Sequence, residues 1–203
     1  MTAQEFKAIW SASDDNLNPL SLKRLTSFSL KPSTIEFLTE AGLPTDAAPF
    51  LTFVKNSSSK YNEIDRLTEV YDLLEDDFRK WIVIGSCGNG DPIAINIESN
   101  DEICWLNHED NFTPSFFNSS IESLLKCLLA YREFILDIQK QNGESAVLDS
   151  NFSDAQFDVL RGKLLTVTIK SLLIVGFGRN SLKLTLRIVN TIRPNDCINN
   201  NQD

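Results

Sequence analysis

Between Trp81 and Glu109 the chain reads Trp-Ile-Val-Ile-Gly-Ser-Cys-Gly-Asn-Gly-Asp-Pro-Ile-Ala-Ile-Asn-Ile, breaks over Glu98 to Glu102, and resumes as Ile-Cys-Trp-Leu-Asn-His-Glu. Three short runs rich in β-branched and aromatic residues, separated by two clusters of turn formers, have the spacing of a three-stranded antiparallel meander. Gly85, Gly88 and Gly90 are expected to supply the positive backbone angles of a tight connection, and Pro92 can open the next strand but not sit in its middle. Ile93, Ile95 and Ile97 alternate with Ala94 and Asn96, which sends one face of that strand to a core. The break from Glu98 to Glu102 is polar and expected in water; the third run brings Ile103 and Trp105 inward.

The glycine cluster superficially looks like a phosphate-cradling loop. Such loops open a helix whose N-terminal amides meet the phosphates, whereas Pro92 leads into an alternating strand. The cluster has no lysine followed by Ser or Thr, and Asp91 repels an anion. A structural hairpin is therefore expected.

With 203 residues and 42% hydrophobic side chains, the chain has the size and composition of one globular domain with a real core. Its charge of −9 is uneven: through Leu165 there are 14 basic and 26 acidic side chains, whereas the remainder has 5 basic and 2 acidic. The acidic body argues against nucleic acid as a partner and suits a basic protein surface, the alternative being acidity for solubility alone. Cys87, Cys104, Cys127 and Cys197 have no close pair and no histidine at ligand spacing. They read as reduced thiols, in the core or at the surface, with no metal site and no cofactor implied. No apolar stretch reaches the roughly 18 residues of a membrane span, and the first residues lack a charged start followed by an apolar run. A soluble cytoplasmic chain is expected.

From the start, Phe6, Ile9 and Trp10 fall at helical spacing and suggest a short amphipathic helix. Asp14 to Pro19 breaks it. Pro32 suits a first helical turn, with Ser33 and Glu36 at the capping-box interval, Ile35 and Leu38 on one face, and Gly42-Leu43-Pro44 as terminator. Phe50 to Phe53 is an apolar run of strand type, and Lys55 to Asn62 a polar loop. The segment to Phe78 mixes Leu67, Val70, Leu73 and Leu74 with the acidic run Glu75, Asp76 and Asp77. After the meander, Asn107 to Phe117 reads as irregular. A second capping box, Ser119 with Glu122, should start the strongest helix, whose stripe is Ile121, Leu124, Leu125, Leu128, Ile135 and Ile138 and whose end is Asn142-Gly143. Ser153 and Gln156 can cap a last helix that turns Phe157, Leu160 and Leu164 inward. Helices at both ends enclosing a central antiparallel sheet make an α+β arrangement.

The succession Gly42-Leu43-Pro44 with Ala47-Ala48-Pro49-Phe50-Leu51, Ile82-Val83-Ile84-Gly85, Gly88-Asn89-Gly90-Asp91-Pro92-Ile93, Leu106-Asn107-His108, and Phe117-Asn118-Ser119-Ser120 with Leu124-Leu125 and Tyr131-Arg132 resembles the SUKH superfamily of bacterial immunity proteins. Within it the pattern is most similar to the fourth subfamily, in an ordered match over roughly Leu30 to Leu160. The resemblance implies an α+β domain without enzymatic activity that binds and neutralises a polymorphic toxin made by the same cell or its kin. It also marks Gly85, Gly88, Gly90, Pro92, His108, Asn118 and Ser119 as the family's structural motif.

His108 is the only histidine, and no Gly-x-Ser-x-Gly elbow is present. Beside Glu109 and Asp110 it could act as a base or a metal ligand; a hydrogen-bonded structural residue at a strand end is the preferred reading. Asp91 reads as a turn-capping carboxylate. Asp72, Glu75, Asp76 and Asp77 are either a solvated face or the part that meets a basic toxin, and Trp105 is either core or an exposed contact. With Asp91, Glu109 and Asp110 they form the candidate partner-binding set. Three functions follow. One is an immunity protein whose acidic surface blocks the active site of a basic toxin, commonly a nuclease, by steered association. Another is a protein-interaction or regulatory module of the same fold without a toxin partner. The third is an enzyme using His108 and Glu109, against which the single histidine counts.

The domain is expected over residues 1–165, with 166–203 an atypical tail. Family members typically follow the final helices with Phe-Trp and acidic residues, whereas Thr166 to Asn190 here is apolar and basic. Ile174 to Ser181, read one base earlier or later, can spell Cys-Gly-Phe-Trp-Lys-Lys-Phe, so a frameshift before this point is one account of the tail. A lineage-specific strand pair or a divergent helix is the other.

Overall fold

The computed structural model describes residues 1–11, 16–47, 51–56 and 63–167. In order, its elements are α1 (Ala3–Trp10), β1 (Leu17–Asn18), α2 (Leu22–Leu25), α3 (Pro32–Glu40), β2 (Leu43–Pro44), β3 (Asp46–Ala47), β4 (Leu51–Phe53), β5 (Asp65–Arg66), α4 (Leu67–Val70), a 3₁₀ turn (Asp76–Lys80), β6 (Trp81–Cys87), β7 (Pro92–Asn96), β8 (Glu102–Asn107), a second 3₁₀ turn (His108–Asp110), β9 (Thr113–Asn118), α5 (Ile121–Asn142) and α6 (Asp154–Val167). Phe50, Asn62 and the tail beyond Val167, with its frameshift account, lie outside the described residues.

The alternation in Trp81–Asn107 becomes the meander β6-β7-β8, in which Ile95 faces Ile82 on one side and Ile103 on the other. It is the centre of an antiparallel sheet ordered β3-β4-β6-β7-β8-β9, with β5 also paired to β6 and with β1 and β2 paired apart from it. The segment expected to be irregular before Phe117 ends in β9, with Cys104 opposite Phe116. Pro114 near its start weakens the strand signal, yet an edge strand tolerates a residue that cannot donate to a ladder.

Both faces of the meander are covered. Ile82, Ile84, Ile93, Ile95 and Ile103 enter the larger core with Phe6 and Trp10 of α1, Leu38 of α3, Leu124, Leu125 and Leu128 of α5, and Leu160 and Leu164 of α6. The alternate positions, Trp81, Val83, Ala94, Cys104 and Leu106, form a second cluster with Leu67 and Phe112, roofed by Val70, Tyr71, Leu74 and Phe78. Ala94 is thus as buried as its isoleucine neighbours, although alternation alone placed it on the outer face. The sheet is a layer between helices and an irregular cap, which is α+β architecture.

Glycine roles divide differently from expectation. Of the three in the hairpin, Gly90 is the one with positive φ, +85°. Gly85 lies inside β6 beside a bulge, where an added Cβ would come within 2.5 Å of the Thr52 carbonyl oxygen, so it serves the close approach of β4. An added Cβ at Gly90 meets nothing within 4 Å. Gly90→Val should therefore cost only its backbone strain, about 1–3 kcal/mol. An unchanged thermal melt would contradict that turn.

Helix ends are shifted by a residue or two from the capping pattern. The N-cap of α3 is Lys31, with Pro32 at N1, so Ser33 and Glu36 lie inside the helix. The N-cap of α5 is Ser120, whose hydroxyl accepts from the Ser123 N–H at 3.1 Å. Glu122 instead meets Lys126 at 2.7 Å and the Met1 amine at 3.1 Å, and the Lys126 hydrogen bond is the main cause holding its carboxyl below the ordinary value. The α6 box forms as read: Gln156 N–H reaches Ser153 Oγ at 3.2 Å and Ser153 N–H reaches Gln156 Oε1 at 2.8 Å. In α1, Thr2 and Glu5 make a box and Phe6 and Trp10 are buried, whereas Ile9 is exposed. The break after Asn96 is not wholly in water either. Asp101 is buried with φ +61° and accepts the Lys31 N–H at 2.8 Å, which ties the meander to the start of α3.

Candidate protein-interaction face

The cap over the second cluster is built by a run that cannot stay helical. After α4 the backbone turns extended at Tyr71 and left-handed at Leu73. Tyr71, Leu74 and Phe78 fold inward onto the cluster while Asp72, Glu75, Asp76 and Asp77 are exposed. A second segment joins from the far end of β8. Asn107 caps the 3₁₀ turn by accepting the Glu109 N–H at 3.1 Å, and two successive left-handed residues, Asn111 and Phe112, swing the chain back into β9.

That reversal buries Phe112 between Tyr71, at 4.8 Å between ring centroids, and Phe78, at 5.9 Å, both edge-on. The ring contacts pack Phe112, two residues after Asp110, against Tyr71 and Phe78, which bracket the 72–77 run; Asp72, Glu75, Asp76, Asp77, Glu109 and Asp110 are all exposed. Asp76 has a cation nearby, Arg79 at 3.7 Å, in an exposed pair.

Asp91 is placed differently from the other candidates. It is 4% exposed, and its Oδ1 accepts the His108 backbone N–H at 2.9 Å and contacts the His108 Nδ1. The Asp91 carboxylate thus fastens the β6–β7 hairpin to the turn carrying Glu109 and Asp110. Burial first, and then the Asp91 charge, raises the Tyr71 pKa above its ordinary value, another sign that hairpin and cap are close. Asp91→Ala leaves the His108 N–H without its acceptor and should cost about 2–3 kcal/mol; Asp91→Asn, which keeps one oxygen, should cost less. Denaturant midpoints in the order wild type, Asn, Ala check this, and three equal midpoints would remove the fastener.

Trp105 lies on the other side of the sheet. It is half-buried against the larger core, alternating with Cys104 and Leu106 of the second cluster, so the structure does not bring it to the carboxylates. Asn118 is buried at the end of β9, its amide 3.6 Å from Cys127 Sγ, and Ser119 Oγ lies 3.2 Å from Ser123 Oγ, both at the β9–α5 junction. Pro92 opens β7, opposite Ser86, and Gly88 is exposed in the hairpin turn.

A cleft of ≈ 280 Å³ between the cap and the hairpin is lined by Thr52–Val54, Glu63, Val70, Tyr71, Val83, Gly85, Ser86, Gly90 and Pro92, a set with one carboxylate, Glu63. Cys87, Cys104 and Cys127 are buried thiols outside any disulfide; burial, then Glu102, pushes the Cys104 thiol up to about 12, away from thiolate chemistry. Cys197 lies outside the described residues. Among the described residues no group of His, Cys, Asp and Glu could hold a metal ion, and no helix is long and apolar enough to cross a membrane.

Sequence reasoning did not single out Tyr71, Phe112 or Phe78, whose contacts assemble the face. The available signal was Asn111, a residue tolerant of left-handed backbone, after a strand.

A family model described as SUKH-4 immunity protein matches residues 14–163. Comparison with curated proteins and with solved structures gave no match.

Proposed function

The chain belongs to the SUKH-4 immunity protein family, a family of toxin-immunity proteins, and on that premise we propose that it neutralises its toxin by covering a basic surface with the face formed by Asp72, Glu75, Asp76, Asp77, Glu109 and Asp110. The observation that supports this is the Tyr71–Phe112–Phe78 contact, which joins the two chain segments that carry these exposed carboxylates, over thirty residues apart in sequence. A nuclease fits such a face well, since its substrate groove must be basic to hold phosphates. Binding occludes that groove without chemistry by the immunity protein, and it takes place in the cytoplasm, where such a toxin meets its target.

Co-expression with its cognate toxin domain, sought among the genes flanking this one, tests the proposal. Growth should be restored, the purified pair should co-elute, and His108→Ala should protect as wild type does. A chain that neither binds nor protects overturns it, and loss of protection with His108→Ala while binding persists returns chemistry to consideration.

A further inference from the structure

Leu73 sits among the carboxylates of this face and is wholly outside the fold, 102% exposed with φ +69°. Other exposed large apolar residues, Ile9, Leu22, Leu136, Leu148, Val159 and Leu165, are 41–60% exposed, and all but Leu148 lie on helix flanks. Such scattered residues need no explanation. Leu73 differs because its conformation is also unfavourable: a left-handed backbone suits Gly or Asn and strains a leucine. Its neighbours Tyr71 and Leu74 both pack inward, so the turn does not lack apolar anchors of its own. What strain and exposure together achieve is to stand one branched apolar side chain clear of the surface, in a run whose neighbours Asp72, Glu75, Asp76 and Asp77 are exposed carboxylates.

Resting on the immunity reading above, we infer that Leu73 is the apolar anchor of the complex, entering an apolar pocket of the toxin framed by Lys and Arg. Charge complementarity selects that occupant. The neighbouring carboxylates steer a basic surface inward, and an apolar side chain in a dehydrated pocket holds it, the division of labour between rim and hot spot in protein interfaces.

The probe is the catalytically inactivated cognate toxin domain found by that co-expression test, with binding measured against wild type and Leu73→Asn. Asparagine keeps the left-handed turn and removes the apolar branch. Roughly 30-fold weaker binding, mostly as faster dissociation, with a thermal midpoint equal to or above wild type, is the expected result. Equal binding by wild type and variant, with wild type protecting, overturns the anchor and leaves the immunity reading standing. A midpoint several degrees lower would make Leu73 a packing residue and overturns it too, as does a wild-type dimer that the variant abolishes. If wild type fails to bind, both readings fall.

Discussion

Gly42→Ala is expected to lower the thermal midpoint by about 8–16 °C, corresponding to a loss of about 4 kcal/mol in a domain of this size. Two effects combine there. Gly42 ends α3 with φ +75°, its N–H reaching back to the Phe37 carbonyl at 3.0 Å, a conformation that strains any residue with a Cβ. An alanine Cβ would also stand 2.1 Å from the Asn18 carbonyl oxygen, 2.2 Å from the Asn18 carbonyl carbon and 2.3 Å from the Pro19 nitrogen. All three are backbone atoms, so no side chain can swing away. Relief requires lifting β1 from β2, which breaks the Asn18–Leu43 pairing and the Asn18 side-chain hydrogen bond to Thr45 at 2.8 Å. Gly143 supplies the control. It has φ +105° with nothing within 4 Å of an added Cβ, so Gly143→Ala should cost only strain, about 1–2 kcal/mol. Equal losses at the two sites by calorimetry would mean that the close approach at Gly42 is absent.

The second large effect is on association. Changing Asp72, Glu75, Asp76, Asp77, Glu109 and Asp110 together to Asn or Gln should slow binding to a basic toxin by roughly 10–100-fold at low salt and flatten the dependence of rate on ionic strength. Dissociation should change much less, because rim charges steer encounter more than they hold the complex. The fold should be nearly indifferent: all six side chains are exposed, and the exposed Asp76–Arg79 pair, like most such pairs, contributes little. Removing 72–77 alone and 109–110 alone separates the two segments. Each should slow association partially if both segments meet the toxin, as proposed, through the surface their Phe112 contacts join. Stopped-flow rates and a salt slope that stay at wild-type values would reduce the carboxylates to a solubilising surface.

The contrast between legible and hidden features follows from how far each signal reaches along the chain. The meander, the α5 stripe and the α6 cap depend on residues within a few positions of one another, where period-2 alternation, 3.6 spacing and turn chemistry act directly, and the family match lies over these same segments. Local reach also explains the shifted caps of α3 and α5. Ser33 and Ser119 satisfied the interval rule, but Pro32 at N1 and the extended backbone of Ser120 chose the boundary.

Burial on the second face of the sheet was decided elsewhere. Ala94 and Cys104 are covered because Leu67, Phe112 and the 70–78 cap close over them, which no alternation within β7 or β8 can announce. The same long-range closure made Asp101 a buried acceptor for Lys31 and Asp91 the fastener of His108. It also put Trp105 on the helix side, away from the acidic rim. The sequence by itself determined the local elements, the acidity of the body and the family, because periodicity, charge and motif order are properties of neighbours. Tertiary structure alone decided that the segments carrying the two acidic runs are joined, because only packing of Tyr71, Phe78 and Phe112 brings residues over thirty positions apart into contact.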